Sequence, residues 1–506
     1  MRRAGFIWLG LLIPTTVDTL LRVSGGGALL SVQLWAAVPA GVVLVLVGLA
    51  HHHRAPRAWG RAVKEVRQLR LPALVLLVGT GLLALPAATE ALGPAASAIA
   101  DVVFVLASSL TVATAFGLEL ESPLLLEYLA RPLSRRRLMA EKWLLSGVVL
   151  AAAVAQYAAL SAHWLMALGS AFLSLGLVPL LVARARQALF AALTAAGLSG
   201  ALAWLPGIPE AMGLVGAALV AAASGVVFWR SIDTLAREPA AQELLGRLFA
   251  LHGRRTPMQA LVAKELQLHV GVLVVTAVLL VAWAAQRAVS LGATATVVTL
   301  HFLGLVLAAW GGVAPILGED RYGTLYLDRA VLPTGVVWRA KVVVSLGLTE
   351  LCGVVLPGLL ASATGASPSA QEWAEWAVLG ALVTSVGLVV SATVRDLSRA
   401  FLATLGATGA LLALFVGCLL LGLRVMPHLP EGVRSLMAGV GPEPRRWLMA
   451  LLLLLELGAG AWVALGVAHR AWLMTGTGIK GLQRPFAGLA GLAFMVGLAQ
   501  AVVMFS

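Results

Sequence analysis

Lysine is nearly missing from this chain. There are five (Lys64, Lys142, Lys264, Lys341 and Lys480) against thirty-one arginines. Charge of either sign is thin, at 12% of 506 residues, and aromatics supply only 6%. No polar stretch is longer than 230–267, far short of the ~100–200 residues of an ordinary soluble domain. A G-x-x-x-x-G-K-[ST] phosphate loop is absent, since "GTGIKG" at 476–481 lacks both the spacing and the following hydroxyl. The chain is therefore not expected to be an enzyme that hydrolyses ATP, and its energy must come from a separate protein or an ion gradient. The two cysteines, Cys352 and Cys418, sit inside apolar runs without metal-ligand spacing and read as small hydrophobes in helix packing. His51, His52 and His53 are adjacent, which rarely supplies metal geometry, and His163 and His301 stand alone in the sequence. No metal site and no bound cofactor are expected.

What is plentiful is apolar, at 60% of residues. Runs of roughly 20 such residues recur along the whole length, the signature of membrane-spanning helices. They fall at 5–22, 28–50, 71–89, 95–117, 143–162, 164–183, 187–205, 211–229, 268–288, 293–317, 341–362, 374–394, 400–423, 447–469 and 485–505. The fold class expected is an all-α polytopic membrane protein with about fifteen transmembrane helices. The first run has a charged start but no small-x-small cleavage site, so it reads as a retained span. With the N-terminus cytoplasmic, 30 of the 36 Lys and Arg lie in cytoplasmic loops, which fixes the orientation in a bacterial inner (plasma) membrane. The net charge of +13 is spread over those short loops, so membrane lipids and not nucleic acid are the expected partner.

The few lysines are arranged in pairs. "VKEVRQLR" at 63–70 and "AKELQLHV" at 263–270 each carry Lys-Glu (Lys64-Glu65 and Lys264-Glu265), and the intervals 64–142 and 264–341 differ by one residue. The loops "ELESPLLLEYLARPLSRRRLMAEK" (119–142) and "EDRYGTLYLDRAVLPTGVVWRAK" (319–341) both open with Glu, carry a Pro and close with Lys. "PGIPE" (206–210) and "PHLPE" (427–431) echo each other further on. An even number of spans separates the copies, so they are parallel repeats of six helices, with extra N- and C-terminal spans outside them. Boundaries follow: 1–56 extra spans, 57–230 first unit, 231–256 linker, 257–470 second unit and 471–506 a last span. Before the first span of each unit, 57–70 and Met258, Leu261, Val262 and Leu266 have the spacing of a helix lying in the inner interface.

A helix ending in Lys-Glu, two spans, then a Glu…Pro…Arg…Lys loop resembles the permease subunits of ABC-2-type transporters. The matching residues are Lys64, Glu65, Glu119, Pro132, Arg135 and Lys142, then Lys264, Glu265, Glu319, Arg321, Pro333 and Lys341, spread over most of the chain. The resemblance implies an ATP-driven exporter whose loops 119–142 and 319–341 dock separately encoded ABC ATPase subunits, two copies, which would hold the ATP and Mg. Glu119, Arg135, Glu319, Arg321 and Arg339 would make the docking contacts, and Lys64, Glu65, Lys264 and Glu265 would hinge interfacial elbow helices. The first loop departs from the pattern, with "ELESPL" where the second has "EDRYGT".

An ion-coupled secondary transporter of the major facilitator kind is the alternative, because "GEDRYG" (318–323) resembles that family's loop after a second span. Thr324, Leu325 and Tyr326 follow it in place of the basic residues of that motif. Glu350 and Glu456 lie within spans and Asp101 near the start of one. Such carboxyls are functional candidates because charge in lipid is costly, the plainer reading being neutral or paired structural groups.

Overall fold

The structure, a computed structural model, describes residues 94–120, 135–203 save 162 and 186, 210–232, 293–322, 333–363 and 442–473, with most of 257–276 and 368–408 and a short stretch within 69–80. The described residues are helical, without strands. That follows from the apolar, Ala- and Leu-rich composition. In hydrocarbon every backbone N–H and C=O must be satisfied within the segment, and the helix does this locally. Six helices among the described residues are long and apolar enough to cross a membrane. The chain is thus a helical membrane protein by this measure.

Six is well short of the expected fifteen or so. The expected spans 5–22, 28–50 and 485–505, and most of 71–89, 268–288 and 400–423, lie outside the described residues, as do Lys64, Glu65, Pro132 and Cys418. The runs 187–205, 293–317 and 447–469 do form helices, Ala188–Ala203, Ala293–Tyr322 and Pro442–Leu473, which are not among those six.

Two compact units divide the chain, Met1–Leu248 with Val274–Ala295, and Phe249–Leu273 with Thr296–Ser506. The first contains α1 (Pro94–Leu120), α2 (Arg135–Leu160), α3 (Trp164–Ala185), α4 (Ala188–Ala203) and α5 (Glu210–Ser231). Helix α1 is its buried centre, with Phe104, Val112 and Phe116 at 0% exposure. Small residues let the helices approach closely. Ser109 and Ser174 share a 3.0 Å hydrogen bond between α1 and α3, and a Cβ on Gly176 would collide with the backbone of Ala221 on α5. Trp143 Nε1 donates to Leu175 O at 2.7 Å, tying α2 to α3. By contrast, α5 turns Met212, Val215 and Leu219 outward, as a lipid-facing helix must.

The second unit contains α6 (Pro257–Leu268), most of α7 (Ala293–Tyr322), α8 (Thr334–Glu350) continued by a π turn (Leu351–Val355) and α9 (Leu356–Ala363), then α10 (Ala370–Ser391) and α11 (Pro442–Leu473). Helix α10 starts with a full capping box: Glu372 N donates to Ser369 Oγ and Ser369 N to Glu372 Oε2. Here too glycines set the crossings. Gly304 of α7 meets Gly353 of the π turn, and Gly312 of α7 meets Thr384 and Gly387 of α10, so closely that a Cβ at Gly304 or Gly312 would strike backbone. Leu261, Ile316, Val337, Leu388 and Ala464 meet in one apolar core at one end of these helices.

Candidate functional site

Lys341 sits two turns into α8, which begins after Pro333 at the N-cap position with φ −55°. Proline suits that place because its fixed φ leads into the helix and its missing N–H has no role before the first turn. The α8 face that packs inward carries Val337, Trp338, Lys341, Val344 and Ser345, so the helix buries a lysine within an apolar stripe. The cation does not reach out to solvent; Lys341 is 0% exposed. Its Nζ donates to Glu265 Oε1 at 2.7 Å and to Pro315 O at 3.2 Å. Glu265, on α6, is also 0% exposed. Desolvating two ions is costly, and only close pairing with further hydrogen bonds returns the cost.

Pro315 explains the next contact. It stands inside α7 and has no N–H, so Gly311 O, four residues back, loses its helical donor. His269, one turn beyond Glu265, places Nε2 3.3 Å from that oxygen. Its Nδ1 lies 2.7 Å from Glu265 O and its Nε2 3.5 Å from Ser345 Oγ. A neutral ring carries a single N–H, so it donates either from Nδ1 to Glu265 O, with Nε2 then accepting from Ser345 Oγ, or from Nε2 to Gly311 O. Carboxylate, ammonium, imidazole, hydroxyl and two α7 carbonyls thus knit α6, α7 and α8 around the proline.

The first unit carries a matching lysine. Lys142, two turns into α2 and 1% exposed, donates to Ala115 O of α1 at 2.7 Å. Ala115 and Pro315 are 200 residues apart, as are Glu119 and Glu319, while Lys142 and Lys341 are 199 apart. Each lysine also has a buried serine four residues on, Ser146 and Ser345, both 0% exposed. In both units a lysine at the end of the charged loop crosses to a carbonyl of the preceding helix, four residues before the glutamate that opens that loop.

The residues singled out from the sequence are placed as follows. Glu119 falls in the last turns of α1, Glu319 and Arg321 in the last turns of α7, and Arg135 is the first residue of α2. Pro333 and Arg339 are exposed at the start of α8, and Lys264 is half-buried on α6. Glu456 lies on α11. Helix α6 does form where an interfacial elbow was expected, but its inward face is Leu261, Glu265 and His269, with Met258 exposed at 45%. Glu265 therefore faces a buried lysine and not the headgroups.

Asp101 and His163 come together in the structure. His163 is not alone: its Nδ1 is 2.8 Å from Asp101 Oδ2, and Tyr157 donates to Asp101 Oδ1. Asp101 and Tyr157 are buried while His163 is 47% exposed, so the carboxylate at the start of the α1 span is paired at its edge. No short-range spacing announces this triad, because 56 and 62 residues separate its members. Comparison with protein-family models, curated proteins and solved structures finds no match.

Proposed function

We propose that the chain is the membrane-spanning permease subunit of an ATP-driven exporter of the ABC-2 kind. Two parallel six-helix units are fused in one chain, and further spans at both ends bring the total to about fifteen. It lies in the bacterial inner membrane with its N-terminus cytoplasmic. Separately encoded ABC ATPase subunits, two copies, hold ATP and Mg and dock on loops 119–142 and 319–341.

The observation that carries this reading is the pair of buried lysines. Lys142 and Lys341 tie the helix after each loop to the helix before it, at Ala115 O and Pro315 O. Those carbonyls lie about one turn, ~6 Å, below Glu119 and Glu319. The helices on either side of each loop are thereby tied to each other close to where the loop leaves them. A force applied there moves α1 with α2, or α7 with α8, as one body, which is what coupling to a partner requires. Glu265 adds α6 to the second body through Lys341. The repetition of lysine, serine and acceptor carbonyl at one register in both units supports the duplication that the permease reading needs.

In this mechanism closure of the ATPase dimer pushes on both loops, and the locked helix pairs carry that motion into the spans. Glu119, Arg135, Glu319, Arg321 and Arg339 provide the polar docking contacts. Reversing charge at two of them, Glu319→Lys with Arg321→Glu, is expected to abolish partner-dependent transport while leaving elution profile and thermal stability unchanged. Unaltered transport by a correctly folded double variant would contradict the docking role.

A further inference from the structure

A second polar group lies inside the spans of unit 2. Glu350 ends α8, and the π turn Leu351–Val355 follows directly. Such turns are frequent at functional positions, because the extra residue interrupts the regular ladder and re-aims side chains. Glu350 Oε1 is buried and has no hydrogen-bond partner. On α7, His301 Nε2 is buried and unpartnered as well.

Both side chains meet one face of α10. The His301 ring lies 4.6 Å from the Trp376 ring, tilted by 41°. Glu350 Oε1 lies 3.4 Å from the position a Cβ on Gly380 would take, so it is this glycine that leaves room for the carboxyl. Trp376 and Gly380 are one turn apart, on the order of 6 Å. Imidazole and carboxyl therefore occupy adjacent levels of the same face. Gly380 falls at the middle of the span Ala370–Ser391, about 15 Å from either end.

A lone carboxylate at that depth is costly. Among the described residues, the charged groups on α6, α8 and α10 are placed elsewhere. Lys341 and Glu265 are joined to each other nearer the start of α8, Arg339 is exposed and Lys264 sits on α6 beside Glu265. Glu372 and Glu375 stand at the beginning of α10, where Glu372 holds the helix cap and Glu375 accepts from Gln371. On α7, His301 stands at the neighbouring level of the same α10 face, against Trp376. Among the described residues no cationic side chain is paired with Glu350 Oε1.

We propose that Glu350 and His301 form a proton-binding site in the interior of unit 2, loaded from the end at which α10 begins. Glu372, Trp376 and Gly380 recur every four residues, so one helix face leads from the capped end to the carboxyl. The imidazole is the second seat for the proton and the relay between that end and Glu350. This assignment requires only that unit 2 spans a membrane and is independent of any ATPase partner.

The test is to treat the full chain in lipid nanodiscs with dicyclohexylcarbodiimide, an apolar reagent for protonated carboxyls, and to follow the adduct at Glu350 by peptide mass spectrometry as pH is varied. The expected result is an adduct that declines as pH rises, is lost from that peptide in Glu350→Gln, and declines over a shifted pH range in His301→Phe. Absence of the adduct from the wild-type chain at every pH would overturn the site without need of any variant. A pH profile unmoved by His301→Phe would overturn the pairing. Either failure leaves the docking of an ATPase untouched, and loss of that docking leaves this site untouched.

Discussion

Breaking the Lys341–Glu265 pair is the perturbation for which the structure gives the clearest magnitude. Both side chains are fully buried and 2.7 Å apart. Lys341→Met leaves Glu265 as an uncompensated buried charge, and Glu265→Met leaves Lys341 likewise. Removing one partner of such a pair costs about 3–5 kcal/mol, whereas replacing both by apolar side chains of similar volume is commonly neutral or stabilising. Lys341→Met with Glu265→Met is therefore expected to lie within ~1 kcal/mol of wild type or above it, giving a coupling of several kcal/mol across the cycle. The assay is reversible unfolding in mixed micelles followed by tryptophan fluorescence, with Trp338 on the neighbouring turn of α8 as a local reporter. Single variants within about 1 kcal/mol of wild type, as for an exposed ion pair, would refute the burial argument. So would a double variant as unstable as the singles.

Other substitutions follow the same logic. Lys142→Met removes the donor to Ala115 O and is expected to cost about 1–3 kcal/mol by the same unfolding assay. Gly304→Ala forces a methyl into the carbonyl of Gly353 and should cost at least ~1–3 kcal/mol. Gly347→Ala, with nothing within 4 Å, should instead stabilise by up to about 1 kcal/mol through helix propensity; the two measured side by side in thermal unfolding check the helix crossing. Tyr157→Phe takes a hydroxyl from the buried Asp101 carboxylate and is expected to lower stability by roughly 1.5–3 kcal/mol, the range for hydrogen bonds to charged groups.

Much of the framework is visible in the residues alone. Apolar runs marked the spans that form α1, α2, α3, α5, α8 and α10, because a helix in lipid needs only length and hydropathy. The scarcity of lysine drew attention to Lys142 and Lys341 as landmarks. Their burial was hidden, since a lysine at the start of an apolar run reads as one that snorkels to the headgroups. Glu265 was read as an interfacial hinge for the same reason: a period of 3.6 shows which residues share a face, not what that face meets. The partner of Glu265 is 76 residues away, and the carbonyl freed by Pro315 meets a histidine 42 residues away from that carbonyl. Such contacts are set by how helices cross, which glycines such as Gly304 and Gly353 decide. Glu350 was legible as a carboxyl in a span, while its neighbourhood with His301 required the shared face of α10.

The proposed permease role requires a separate ATPase docked on loops 119–142 and 319–341. Its most direct test is mild-detergent purification of the full chain from its native host, with mass spectrometry of co-eluting proteins and an assay of ATP hydrolysis. The account expects a stoichiometric soluble partner bearing a G-x-x-x-x-G-K-[ST] loop, with ATPase activity, both lost when Glu319 and Arg321 are reversed in charge. A chain that elutes alone and hydrolyses no ATP, under conditions that keep other membrane complexes intact, would contradict it.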